Sequence, residues 1–187
     1  MADYSLYDAT VPHAISALNA ILSLLDMLQA HASTANVPVE NYINARLISN
    51  MYPFNFQVFM VCRMAKDIIG HCQGAEDVAK NFGSEEEKQL AELTTLERMN
   101  TLVRAALDVV NNSDRNKFTG RAGATITFNF GPDKYITSTV SQFIGGYGLP
   151  NMYFHLVTAY DIVRSKGVPV GKQDLLTPFF NQQQISP

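Results

Sequence analysis

The chain has 187 residues, of which 47% are apolar and 17% are charged, and its formal net charge is −3. This length supports a sizeable core, so we expect a single domain over residues 1–187, with a loose tail from about residue 177. The low share of charged residues suggests that part of the surface is covered, which favours a homodimer. The acidic charge and the lack of a clustered basic face argue against nucleic acid and membranes as partners.

The N-terminus and the cysteines indicate a protein of a reducing compartment. No positively charged N-terminal segment leads into an apolar run, and no stretch approaches about 18 uninterrupted apolar residues. Cys62 and Cys72 lie ten positions apart in the sequence. On a helix this separation is about 15 Å, which is too far for a disulfide. We therefore expect free thiols and a cytoplasmic location.

The first half of the chain predicts two long helices with a short one between them. Apolar residues recur at the helical i, i+3, i+4 spacing over residues 10–31, with Thr10 as the N-cap, and again over residues 53–72. The short helix is predicted over residues 39–49. We expect it to cover an end of the bundle with three apolar side chains, namely Tyr42, Leu47 and Ile48.

The second half predicts two more long helices and a hairpin between them. A capping box of Ser84 and Glu87 starts a helix over residues 84–111. From Thr125 the apolar period changes to two, which predicts a β-hairpin with a proline-led turn. A glycine-rich approach over residues 141–149, expected to be flexible, leads into the last helix over residues 150–164, and residues 173–187 form a loose tail. The fold class is therefore mainly α, an up-down-up-down four-helix bundle with a short extra helix and a small β-hairpin between helices three and four.

The antiparallel arrangement predicts which side chains meet. The start of helix four shares an end of the bundle with the start of helix two, so His155 is expected near Gln57, Asn50 and Tyr52. The approach that carries Tyr147 must reach the same end. His13 begins helix one and is expected near the far end of helix four, about 20 Å away.

His155 is the main candidate for chemistry, because it borders the apolar stripe of helix four. An imidazole there can be a structural hydrogen-bonding group, a substrate-contacting acid or base, or a metal ligand. Tyr160 can present a hydroxyl to the same cavity or belong to the core. A metal is disfavoured, since position 159 is alanine and no paired-ligand motif occurs. No nucleotide-binding loop or nucleophile motif is present either, so no cofactor is expected.

Two blocks of sequence carry a resemblance to a known family. The first runs from Asn50 to Val58 at the head of helix two, and the second covers residues 149–172 around helix four. With them, the chain resembles the DinB/YfiT-like four-helix-bundle superfamily, and within it an uncharacterised domain-of-unknown-function family of fungi and bacteria. The resemblance covers residues 6–176.

The resemblance implies a four-helix bundle, and in the wider superfamily a metal held by a histidine near the start of helix two and a His-x-x-x-His pair on helix four. His155 stands at the first position of that pair, Ala159 replaces the second, and helix two offers Gln57 instead of a histidine. Asn50 stands where the family usually has an aspartate. The metal triad is therefore broken.

Two functions remain open. The first is a metal-independent enzyme of isomerase, dehydratase or lyase, or cyclase type that acts on a hydrophobic metabolite of specialised metabolism. In it His155 is the acid or base and Tyr160 assists. The second is a non-catalytic small-molecule-binding or stress-related bundle with a degenerate metal site. In both, the partner is a small hydrophobic molecule, and the substrate-binding candidates are Asn50, Tyr52, Phe54, Gln57, Tyr147, Asn151 and Tyr153.

Overall fold

The computed structural model describes residues 4–75, 84–131 and 134–180. Its α-helices are α1 (Val11–Ala35), α2 (Glu40–Ile43), α3 (Phe54–Gln73), α4 (Ser84–Glu92), α5 (Leu96–Asn111), α6 (Val140–Phe143), α7 (Leu149–Ser165) and α8 (Lys172–Phe180). A 3₁₀ turn spans Arg115–Phe118, a π-helical segment spans Ile144–Gly148, and two strands, β1 (Thr125–Gly131) and β2 (Lys134–Thr139), form an antiparallel hairpin. The predicted mainly α fold with a short extra helix and a hairpin before helix four is confirmed.

Helix α3 lies at the centre of the bundle and contacts α1, α5 and α7. Its predicted apolar stripe is buried throughout, as expected for a helix enclosed by others. Helix α1 is the one described helix long and apolar enough to cross a membrane by length and composition, and 56% of the apolar window is buried inside the fold. Its buried side chains form part of one core with those of α3, α5 and α7.

The directions of the helices differ from the predicted up-down-up-down order. The starts of α3 and α5 meet where Asn55 Nδ2 donates to Leu93 O, and their ends meet at Gln73 and Asp114, so these two helices run parallel. Helices α3 and α7 run antiparallel, since Phe143, just before α7, contacts His71 near the end of α3. Helices α1 and α7 run parallel, since Tyr153 near the start of α7 contacts His13 near the start of α1, and Gly167 after α7 lies close to His31 further along α1. The order of the four long helices is therefore up, down, down, up. Apolar periodicity carries no information about direction, which explains the error.

The predicted third helix is divided in two. Helix α4 ends at Glu92, and Thr95 starts α5 by accepting a hydrogen bond from the Arg98 amide at 3.2 Å. Leu93 is buried within the break and keeps the apolar spacing continuous, so the pattern alone does not show the interruption. The predicted capping box depends on the side chain of Ser84, which lies outside the described residues.

Four further expectations in the first half are corrected. Helix α1 continues to Ala35, and the hydroxyl of Thr10 donates to Leu6 O at 2.7 Å instead of capping the helix. The short helix covers only Glu40–Ile43. Tyr42 is buried as predicted, but Leu47 and Ile48 are exposed because the chain after Asn44 turns away in irregular loops.

Helix four begins much earlier than predicted, because the glycine-rich approach is helical. Thr139 and Gln142 form a capping box at the start of α6, and the π segment joins α6 to α7. The amide of Leu149 bonds to Ile144 O, five residues back, which accommodates Pro150 with its missing N–H. Packing is tight at Gly148, since a Cβ there would lie 3.0 Å from Cγ1 of Ile68.

The hairpin and the C-terminal segment complete the fold. Phe128 of β1 is buried against Phe143, with ring centroids 4.8 Å apart. The predicted proline-led turn lies at residues outside the described ranges. The expected loose tail is wrong for residues 173–180, which form α8 against α1; the Ser16 hydroxyl donates to Pro178 O at 3.1 Å.

Candidate functional site

His155 and Gln57 meet between α7 and α3, as the sequence predicts. The imidazole Nδ1 lies 2.7 Å from Oε1 of Gln57, and Nε2 of Gln57 donates to the backbone oxygen of Tyr52 at 3.0 Å. The Tyr52 carbonyl can only accept, so it fixes the amide with Oε1 toward the histidine. Oε1 is also an acceptor, so Nδ1 must carry the proton. Two errors in the prediction cancel here. Helix four starts ten residues earlier than predicted, and it runs antiparallel to α3 instead of parallel to it, so His155 still meets Gln57.

The resulting imidazole is neutral, with a defined tautomer. Burial lowers the pKa of His155 to about 4, because the charged form loses its hydration. The second ring nitrogen, Nε2, has no hydrogen-bond partner among the described residues. The residue is 8% exposed, and Nε2 is not among the fully buried side-chain atoms that lack a hydrogen-bond partner in the described part of the chain. In this tautomer Nε2 carries a lone pair that can accept a hydrogen bond.

Two aromatic rings lie close to the imidazole of His155. The ring of Phe154 lies 5.2 Å from the imidazole at 80°, and the ring of Phe56 lies 6.0 Å away at 65°. Tyr52 stacks on Phe56 with centroids 4.0 Å apart. The site therefore combines one polar acceptor with an aromatic border, which is the composition expected of a small-molecule site.

Two of the predicted site residues, Tyr147 and Phe54, are not available at the His155 site. Tyr147 packs against Phe128 and Phe143, toward the hairpin, and is about 12 Å along the helix from His155. Phe54 is fully buried in the core, so its ring is not available to a ligand. Asn50 is exposed on the loop before α3.

Two of the remaining candidates on α7, Tyr153 and Tyr160, point away from His155, whereas Asn151 lies one turn before it on the same face. Tyr153 lies on the opposite side of the helix, where its hydroxyl is 2.7 Å from Nδ1 of His13. The expectation that His13 lies near the far end of helix four is therefore wrong. Tyr160 is about 140° around the helix from His155 and packs against the core. Asn151 Nδ2 contacts Met64 Sδ at 3.0 Å on the seam between α7 and α3. The predicted His155 and Tyr160 pair is not brought together.

A groove of about 480 Å³ lies on another face of α3, and His155 does not line it. Arg63 and Asp67 form an ion pair in it at 3.5 Å. Burial raises the pKa of Asp67 to about 6 against the opposing effect of two neighbouring cations. Cys62 also borders the groove, and burial raises its pKa to about 12, so the thiol is unreactive.

Comparison with known proteins supports the resemblance seen in the sequence. The model of a family described as Domain of unknown function (DUF1993) matches residues 6–176. The chain belongs to the DUF1993 family. A crystal structure of a DinB family member protein from Shewanella denitrificans is similar, with 29% identity, a TM-score of 0.78 and 91% of each chain covered. No curated protein matches the chain significantly.

This DUF1993 member does not have the donor set of the metal site that the DinB-like resemblance implies. Oε1 of Gln57 is engaged by His155, and Ala159 offers no donor atom. Among the residues that the structure describes, no group of three His, Cys, Asp or Glu side chains lies close enough to hold an ion. The site therefore offers a single imidazole nitrogen, which does not fit a metal centre.

The sequence-based prediction misses one member of the site in this DUF1993 chain, Phe154, although its place next to His155 puts its ring beside the imidazole. It also places His13 at the far end of helix four, because it expects helices one and four to run antiparallel, whereas α1 and α7 run parallel. The capping pattern of Thr139 and Gln142 is the sequence signal for the earlier start of helix four.

Proposed function

We propose that this DUF1993 protein binds a small hydrophobic molecule without a metal, and that His155 accepts a hydrogen bond from it through Nε2. The observation that carries this proposal is the 2.7 Å bond from Nδ1 to Oε1 of Gln57. This bond fixes the tautomer in which Nε2 is the free acceptor, and the rings of Phe56 and Phe154 supply the apolar surroundings.

A cytoplasmic location is part of the proposal and is supported by the two buried free thiols, Cys62 and Cys72.

Binding is better supported than proton abstraction. Protonating an imidazole of pKa about 4 at pH 7 costs about 4 kcal/mol, at about 1.36 kcal/mol per pKa unit. A general base works best with a pKa near the working pH. Accepting a hydrogen bond requires only the lone pair and carries no such cost.

A catalytic role is the second candidate, and the exposed lone pair on Nε2 is the observation that favours it. In an isomerisation, dehydration or cyclisation, Nε2 would take a proton from the substrate, and Gln57 would stabilise the imidazolium through Nδ1. Its distinguishing feature is a rate that falls when the pH drops toward 4. A binding protein would show no turnover at any pH.

The test is identification of the molecule that the protein retains. Small molecules released from natively purified protein are identified by mass spectrometry and titrated back onto wild type, His155→Leu and, as a control, His13→Leu. The proposal predicts weaker binding only in His155→Leu. Equal binding by all three proteins, or retention no greater than that of heat-denatured protein, would contradict it.

A further inference from the structure

The rings around His155 leave an aromatic surface open to solvent. Tyr52 stacks on Phe56 at an interplanar angle of 16°, and 62% of the Tyr52 residue is exposed. Phe154, whose ring lies 5.2 Å from the imidazole, is 55% exposed. Two exposed aromatic residues close to a buried polar group form an apolar patch of a kind that a ligand covers.

The geometry of these rings favours a flat occupant. The stacked pair of Tyr52 and Phe56 presents a planar face, and Phe154 stands nearly perpendicular to the imidazole at 80°. A planar aromatic molecule can stack on Tyr52 and meet Phe154 edge to face, and both arrangements are preferred between aromatic rings. A saturated ring system of the same size gains the burial but not the ring contacts.

The charge around the site favours a neutral hydrogen-bond donor. Burial lowers the pKa of His155 because the charged imidazolium loses its hydration, and the same loss disfavours an ammonium group placed beside it. A carboxylate or phosphate would set an acceptor against the acceptor Nε2. A hydroxyl supplies the proton that Nε2 needs and brings no net charge.

We infer that the molecule bound at His155 is a neutral aromatic alcohol of the phenol or naphthol class, with its ring against Tyr52 and Phe154 and its hydroxyl donating to Nε2. This inference rests on the proposed function and narrows it to a ligand class. The alternative occupant of the same surface, a second copy of the chain, is separated by the experiment below.

Three probes of nearly the same size test the inference. β-Naphthol has the ring and the donor, β-naphthyl methyl ether has the ring without the donor, and decahydro-β-naphthol has the donor without the aromatic ring. Dissociation constants are measured by NMR titration of the wild-type protein. We expect β-naphthol to bind about tenfold more tightly than either analogue, the equivalent of about 1.4 kcal/mol for each lost interaction.

Variants assign each contribution to its residue. His155→Leu should abolish the preference for β-naphthol over its methyl ether, and the double variant Tyr52→Leu, Phe154→Leu should abolish the preference over the saturated alcohol. Phe130→Leu, which changes an exposed aromatic residue on the hairpin, is the control and should change neither preference.

The outcomes separate the two proposals. If both alcohols bind equally and depend on His155, the aromatic class is wrong and the proposed function stands. If β-naphthol binds as well to His155→Leu as to wild type, both are wrong. If the double variant converts a dimer to a monomer by light scattering and leaves β-naphthol binding unchanged, the surface is an interface between copies and the inference is overturned.

Discussion

Nδ1 of His155 and Oε1 of Gln57 lie 2.7 Å apart between two helices that run in opposite directions. The bond does two things at once. It satisfies a polar group on each helix inside the bundle, and it decides which nitrogen of the imidazole faces outward. Because the set of metal donors at this position is incomplete, the second effect leaves Nε2 as a hydrogen-bond acceptor for another molecule.

Removal of the Gln57 amide tests this bond. Gln57→Leu keeps a side chain of similar size but leaves the buried Nδ1–H without an acceptor, which should destabilise the protein by about 1–3 kcal/mol. Gln57→Glu places a carboxylate beside the imidazole and should raise the pKa of His155 above 4, because the negative charge stabilises the imidazolium. Urea denaturation and NMR titration measure the two effects. A Leu variant as stable as wild type would show that the bond is dispensable.

The pKa of His155 makes stability depend on pH. The unfolded chain binds a proton near pH 6.5 and the folded chain only near pH 4, so this contribution to stability is complete above pH 6.5 and is lost as the pH falls toward 4. Between pH 7 and pH 5 the loss is about 2 kcal/mol. Other groups titrate too, so the measured quantity is the difference in unfolding free energy between wild type and His155→Leu at each pH. A difference that stays constant from pH 7 to pH 5 would contradict the lowered pKa.

Asp67 should show the opposite dependence. Its pKa is raised to about 6, so its neutral form is favoured in the folded state, and the contribution is complete below pH 3.8 and lost as the pH rises through 6. Relative to Asp67→Asn, wild type should therefore lose stability between pH 4 and pH 7. Asp108→Asn, at an exposed position on α5, is the matched control and should follow wild type. If the two Asn variants behave alike, Asp67 is not buried as described.

The close approach of α7 to α3 predicts a specific glycine effect. Gly148→Ala puts a Cβ 3.0 Å from Ile68 and 3.2 Å from Phe143, and it should destabilise the protein by about 1–3 kcal/mol. Gly146→Ala, in the same π segment, meets nothing within 4 Å and should be neutral or slightly stabilising. Thermal denaturation compares the two. Equal melting temperatures would show that the helices do not pack this closely at Gly148.

The sequence was informative where one pattern determines one structure. Apolar spacing located α1 and α3, and the change to a period of two located the hairpin. The sequence was misleading where one pattern fits two different structures. Glycines at 145, 146 and 148 suggest a flexible approach, but the segment is helical, and at Gly148 a Cβ would lie only 3.0 Å from Ile68 of the neighbouring helix α3.

The site was predicted only in part, because the apolar pattern does not specify where helix four starts or in which direction it runs. His155 and Gln57 were expected together and are together, but Tyr147 was placed with them because the start of helix four was set ten residues late. The contact between His13 and Tyr153 was missed for another reason, because α1 and α7 run parallel and were expected to run antiparallel. Helix direction and length decide which side chains meet, and periodicity specifies neither.

The most direct test of the account is the protonation state of His155, read from a long-range ¹H–¹⁵N NMR correlation of the histidine rings. The His155 signals are assigned by their loss in His155→Leu. The account predicts that at pH 7 Nδ1 carries the proton and Nε2 does not, and that the ring titrates near pH 4. A proton on Nε2 at pH 7, or titration near the ordinary value of 6.5, would contradict it.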